Sequence, residues 1–182
     1  MKPLLSSFTP GYKIAYLFLL LLIGVVVAGI LTDIIMKIPG VNDGSGLTAI
    51  YVGSIMQSVL GTALPAYIIA TLVHPSPARY LKISGDKRIG KKLVFAVLIF
   101  IFSYSLASYL SQLNKGMELP SSMHEVEQFF RTMEDAALET TNLLLSGKTI
   151  GSLILNLMIV AGFAAISEEL FFRGALQQLI GE

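Results

Sequence analysis

The chain has 182 residues, 54% of them hydrophobic and only 14% charged, a composition that belongs to a protein whose solvent is lipid rather than water. Its 13 basic and 12 acidic residues leave a net charge of +1, so no excess of positive charge points to nucleic acid as a partner. No cysteine is present, which excludes disulfides, thiolate zinc sites and cysteine nucleophiles together.

Residues 14–32 are uncharged and dominated by Leu, Ile and Val, long enough at ~1.5 Å per residue to cross a hydrocarbon core of ~30 Å. A secretory signal is the alternative, but its apolar region runs only about 7 to 15 residues. A loop signal, "PGVNDGSG", then leads into a second uncharged stretch at 47–73, interrupted by Pro65, which a membrane helix absorbs as a kink. Residues 93–113 form the third, where Ser103, Ala107 and Ser111 recur at four-residue spacing as a stripe that admits a close helix neighbour. The fourth begins at Thr149, runs to Ser167 and continues in helical character to Ile180.

The third connection, residues 114–148, is more than a loop. Ser122 and Glu125 have the spacing of a capping box, and Val126, Phe129, Phe130, Met133 and Ala137 follow helical periodicity while Glu127, Arg131, Glu134 and Asp135 take other faces. This predicts an amphipathic helix at the outer interface, whose simplest role is to cover the bundle rather than to bind substrate. The fold class expected is all-α: a multi-pass transmembrane bundle of four spans with an amphipathic helix in the third connection, forming one membrane domain over residues 1–182.

Positive residues in short connections stay on the cytoplasmic side. The second connection holds Arg79, Lys82, Lys87, Arg88, Lys91 and Lys92, and the N-terminus adds Lys2 and Lys13, whereas Lys37 stands alone in the first connection and acids outnumber bases in the third. The N-terminus and the end of the fourth helix are therefore expected in the cytoplasm, with the chain in a plasma membrane. The basic loop satisfies orientation without a further role in binding anionic lipid, and "LKISGDKRIGKK" suits a short interfacial element.

That orientation brings Glu168 and Glu169 near the cytoplasmic boundary, about 27 Å along the fourth helix. Glu169 and Arg173 are four apart and share a helix face, so they can pair, while Glu168 points about 100° away. A charge at the bilayer centre costs about 2.5 to 3.5 kcal/mol on insertion scales. Pairing lowers that cost for Glu169 and leaves Glu168 without a local cation. A carboxyl in an apolar, water-poor site disfavours its anion, the property of a general base poised toward neutral pH. The competing account has all three charges anchoring the helix end among headgroups.

The stretch "EELFFRGALQ", placed after a span and carrying an aromatic before the arginine and a glycine after it, resembles the first motif of the CPBP family: the type II CAAX prenyl proteases and the related bacteriocin-processing and immunity-associated membrane proteins. The acidic amphipathic stretch upstream is similar to bacterial members. The resemblance implies an intramembrane endopeptidase in which Glu168 activates water, with Glu169 and Arg173 supporting it by pairing and orientation. It implies a protein or peptide substrate at the bilayer and leaves any divalent metal open, since many members bear a metalloprotease label. Two adjacent glutamates without a histidine make a poor zinc site.

The family's second and third motifs, F-x-x-x-H and H-x-x-x-N or similar, do not occur. His74 is preceded four positions earlier by Ala70 and His124 by Pro120, and the residues four after them are Ala78 and Gln128; both histidines read as loop or interfacial residues. The expectation is that the chain is the N-terminal part of a longer protein or a truncated product, inactive by itself. The alternatives are a non-catalytic scaffold or immunity-type relative, and a transporter fragment that uses Glu168 as a proton-coupled site. Asp33, near Lys37 and the interface, is expected to reach water, and Gln57 and Asn156 to form hydrogen bonds between helices.

Overall fold

The computed structural model describes residues 3–5, 7–82, 89–115 and 123–181. Among them every regular element is helical. They are α1 (Pro10–Met36), α2 (Leu47–Val73), α3 (Pro77–Tyr80), α4 (Ile89–Lys115), α5 (His124–Leu145) and α6 (Ile150–Ile180). By length and composition α1, α2, the Val94–Asn114 part of α4 and α6 can each cross a bilayer, and the protein is an all-α, multi-helix membrane protein. Each expected span is present: helix runs past both ends of the first and third, coincides with the second, and begins at Ile150 in the fourth. Lys2, Lys87, Arg88 and Ser122, the first member of the expected capping box, lie outside the described residues, as do the side chains of Lys91 and Lys92 and most of the interfacial element expected at 81–92.

Two spans are not uniform α-helix. In α2 the segment Gln57–Ala63 is π-helical, and the Leu64 N–H reaches the Val59 carbonyl five residues back. Pro65 follows at once; it has no N–H to give and its ring crowds the carbonyl four residues earlier, so the wider turn accommodates what the sequence announced as a kink. In α6 the segments Leu157–Gly162 and Glu169–Leu176 are π-helical as well.

The chain gathers into two compact units, one of Met1–Ile83 with Glu139–Glu182 and one of Ser84–Leu138. In the first, α1 and α2 cross at Gly24. A methyl added there would lie 2.2 Å from the Leu60 carbonyl oxygen and 3.3 Å from the Gly61 Cα, so the two backbones touch as small residues allow. Farther along, Asn156 of α6 accepts a hydrogen bond from the Tyr51 hydroxyl of α2 and donates one to the Leu144 carbonyl of α5, the interhelical role expected of it. Gln57 departs from expectation: it is exposed, and its amide lies along its own helix over Gly61. Asp33 is exposed as expected. The loop before α2 turns through left-handed Gly40, Gly44 and Gly46. There the Ser45 hydroxyl and N–H donate to Asp43 and hold its carboxyl below the usual carboxylate range.

In the second unit the apolar side chains of α4, including Phe95, Phe100, Phe102 and Tyr104, are exposed. So are Ser103, Ala107 and Ser111. The apolar face of α5 at Val126, Phe129, Phe130 and Met133 is exposed too. Its polar face carries the Glu127–Arg131 pair at 2.6 Å, which raises the Arg131 guanidinium further above its already high value.

The Gly24 crossing yields a paired prediction. Gly24→Ala is expected to destabilise the detergent-solubilised protein by about 1 to 3 kcal/mol through overpacking, read as a lower thermal midpoint. Gly29→Ala, on the same helix with nothing within 4 Å, is expected to be neutral or stabilising by up to about 1 kcal/mol, because alanine is the better helix former.

Candidate functional site

The charged turn sits on α6 with a buried back and an open front. Ser167, Phe171, Gly174, Ala175 and Leu179 are buried. Phe171, Ala175 and Leu179 join Leu17 of α1, Ala66, Ile69, Ala70 and Val73 of α2, and Leu81 in one apolar cluster. Phe171 meets Phe18 edge to face at 6.2 Å and Phe172 at 5.2 Å, the arrangement aromatic quadrupoles favour. The buried Ser167 hydroxyl satisfies itself on the Ala164 carbonyl at 2.9 Å.

Glu169 and Arg173 form the expected pair, Arg173 Nη1 donating to Glu169 Oε1. Their side chains are 58% and 60% exposed, so this is a surface pair whose worth is modest wherever water reaches it. The pair lies within the π-helical turn Glu169–Leu176, and single π turns in α-helices recur at functional sites. Glu168 is the residue just before that turn. It is exposed, where the sequence led us to expect a water-poor pocket. The reason lies in α6 itself: the apolar side chains at 171, 175 and 179 take the face that packs, and the carboxylates are left on the remainder. The structure thus brings Glu169 and Arg173 together and leaves Glu168 unengaged by any described side chain.

The histidines make other contacts. His74, at the end of α2, accepts from the Ser76 N–H at 3.0 Å and stacks on Tyr80, beside an open cavity of about 460 Å³ lined by Pro3, Leu4, Thr71, Leu72, Pro75 and Pro77. His124, at the start of α5, pairs with Gln128 at 3.0 Å. Among the described residues no group of three or more His, Cys, Asp or Glu gathers as a metal site would require. With Glu169 held by Arg173, the turn offers one free carboxylate, a set that does not fit a catalytic metal.

Sequence reasoning missed the contact beneath the turn. Leu81, just past α3, lies against Gly174, where an added methyl would stand 3.1 Å from Leu81 Cδ2 and 3.3 Å from its carbonyl oxygen. The glycine after the arginine was visible in the sequence; the segment that needs its missing side chain was not. Comparison with known protein families, with curated proteins and with solved structures gives no match, so the likeness to the CPBP motif stands on residues 168–177 and their helical setting.

Gly174→Leu is expected to push the Pro77–Lys82 segment off α6 and cost about 1 to 3 kcal/mol in detergent. Gly174→Ala, whose nearest neighbour is the movable end of a leucine, is expected to cost less than half as much. Thermal unfolding of the two variants beside the parent checks the order.

Proposed function

We propose that this chain carries the water-activating turn of an intramembrane endopeptidase of the CPBP type. The observation that supports this most is the division between the two acids: Arg173 engages Glu169, and Glu168, one residue earlier on an exposed surface, is free to take a proton. In the proposed reaction the Glu168 carboxylate removes a proton from a water molecule as its oxygen adds to the scissile carbonyl. The tetrahedral oxyanion then collapses with cleavage of the C–N bond, and the proton held by Glu168 passes to the leaving amine. Glu169 and Arg173 position the turn. Donors for the oxyanion must approach Glu168 from its exposed side. A protein or peptide at the bilayer is the substrate, and the site faces the cytoplasm of a cell whose plasma membrane holds the chain.

The second reading is a non-catalytic membrane scaffold or immunity-type relative. It is favoured by the partners of His74 and His124, which are Ser76, Tyr80 and Gln128 rather than Glu168.

The test begins with the DNA after codon 182. An open frame encoding two histidine motifs on apolar helices supports the peptidase, and a stop codon there favours the scaffold. The product of the complete frame, reconstituted in liposomes, is then assayed against membrane-associated peptides. Glu168→Gln is expected to cut cleavage by about 10²- to 10⁴-fold, the span of general-base catalysis, and Arg173→Gln by less. Cleavage indifferent to Glu168→Gln would refute its role as base. Proton-driven uptake that depends on Glu168 would point to a transporter.

A further inference from the structure

The segment between α4 and α6 has both ends tied to spans: α4 ends at Lys115 and α6 begins at Ile150, so α5 is confined to one surface of the bilayer. Its last turn is held down. The Leu144 carbonyl accepts from Asn156 of α6, Leu143 lies 3.4 Å from a methyl placed on Gly46, and the Thr149 side chain caps the first turn of α6 four residues after α5 ends.

Five helical turns separate Val126 from Leu144, so Val126, Phe130 and Met133 lie on the same side of the helix as half-buried Leu144. On that side of the helix the large apolar side chains Phe129 and Phe130 are 62% and 61% exposed. An apolar face of this kind, on a helix tied at both ends to spans, calls for a bilayer as its solvent.

The opposite side sets which bilayer. Interfacial helices are usually rich in Lys and Arg and seek anionic lipid. α5 carries Glu125, Glu127, Glu134, Asp135 and Glu139 against a single arginine, and Arg131 is already paired with Glu127.

We propose that α5 is a membrane-surface helix that seats Val126, Phe129, Phe130 and Met133 at the headgroup–acyl boundary of electrically neutral, zwitterionic lipid, and that anionic lipid repels it. This inference is independent of the chemistry at Glu168.

The chain has no tryptophan, so Phe130→Trp installs a sole indole in the intact protein, read at excitation wavelengths that tyrosine does not absorb. Phe129→Trp repeats the measurement should the first variant fold poorly, and Gln128→Trp marks the polar side. In phosphatidylcholine vesicles, lipid brominated near the headgroup is expected to quench the indole of the Phe130→Trp and Phe129→Trp variants several-fold more than that of Gln128→Trp, which aqueous iodide reaches instead. Replacing half of the lipid with phosphatidylglycerol is expected to lower that quenching, and 1 M salt, which shortens the screening length to about 3 Å, to restore it. Iodide access at positions 129 and 130 without bromine quenching would overturn the proposal by placing the face in water. A blue-shifted signal that neither quencher reaches would overturn it by placing the face against protein, whether the bundle or a second copy. Quenching indifferent to phosphatidylglycerol would overturn the lipid selectivity.

Discussion

The contact of Phe171, Ala175 and Leu179 with Leu17, with the last turns of α2 and with Leu81 sets the rotation of α6, and the placement of every charged group on that helix follows from it. Where this cluster lies explains why it is large. Its members come from the start of α1, the end of α2 and the end of α6, so they share one end of the bundle; at an end that meets water or headgroups, burying apolar surface is favourable. In mid-membrane that drive vanishes, because lipid tails are as apolar as leucine. The buried residues along the middle of the spans are accordingly small, Ala28, Ser58 and Gly61, and there contact between backbones replaces burial of bulk. Two kinds of packing thus hold the same helices, a leucine and phenylalanine cluster at one end and a glycine crossing farther in.

Much of the fold was legible because hydropathy is an additive signal. Long uncharged runs gave the spans, and the spacing of Val126, Phe129, Phe130 and Met133 gave α5. What was not legible is relational. Asn156 could be recognised as a hydrogen-bonding residue, yet its partners Tyr51 and Leu144 depend on which helices meet. Gln57, read by the same rule, folds over Gly61 because the missing side chain one turn on leaves room for it. The π turns escape sequence reading for a similar reason, since an i→i+5 bond replaces an i→i+4 bond at little cost and neighbours decide between them. At the site, the Glu169–Arg173 pair is a local fact of four-residue spacing and was readable. The surroundings of Glu168 are not local, and the competition for the buried face, won by the apolar residues at 171, 175 and 179, turned it outward.

The length of α6 explains how a chain tolerates so much charge there. Thirty-one residues at ~1.5 Å each make a helix of about 46 Å, well beyond a hydrocarbon core of ~30 Å. An upright α6 leaves the core near the two glutamates, and a tilted one leaves it later. Two adjacent carboxylates at such a boundary would repel each other and favour drawing the helix end into water. Arg173 lessens that tendency by pairing with one of them, and the apolar cluster behind the turn holds the helix in place. A helix that needed only an anchor would be served by the arginine or by either acid. Among the described residues a second carboxylate, Glu168, stands exposed beside the Glu169–Arg173 pair, on a turn whose back is fixed by the buried cluster of Phe171, Ala175 and Leu179, so its place on the helix is set by packing rather than by a partner of its own.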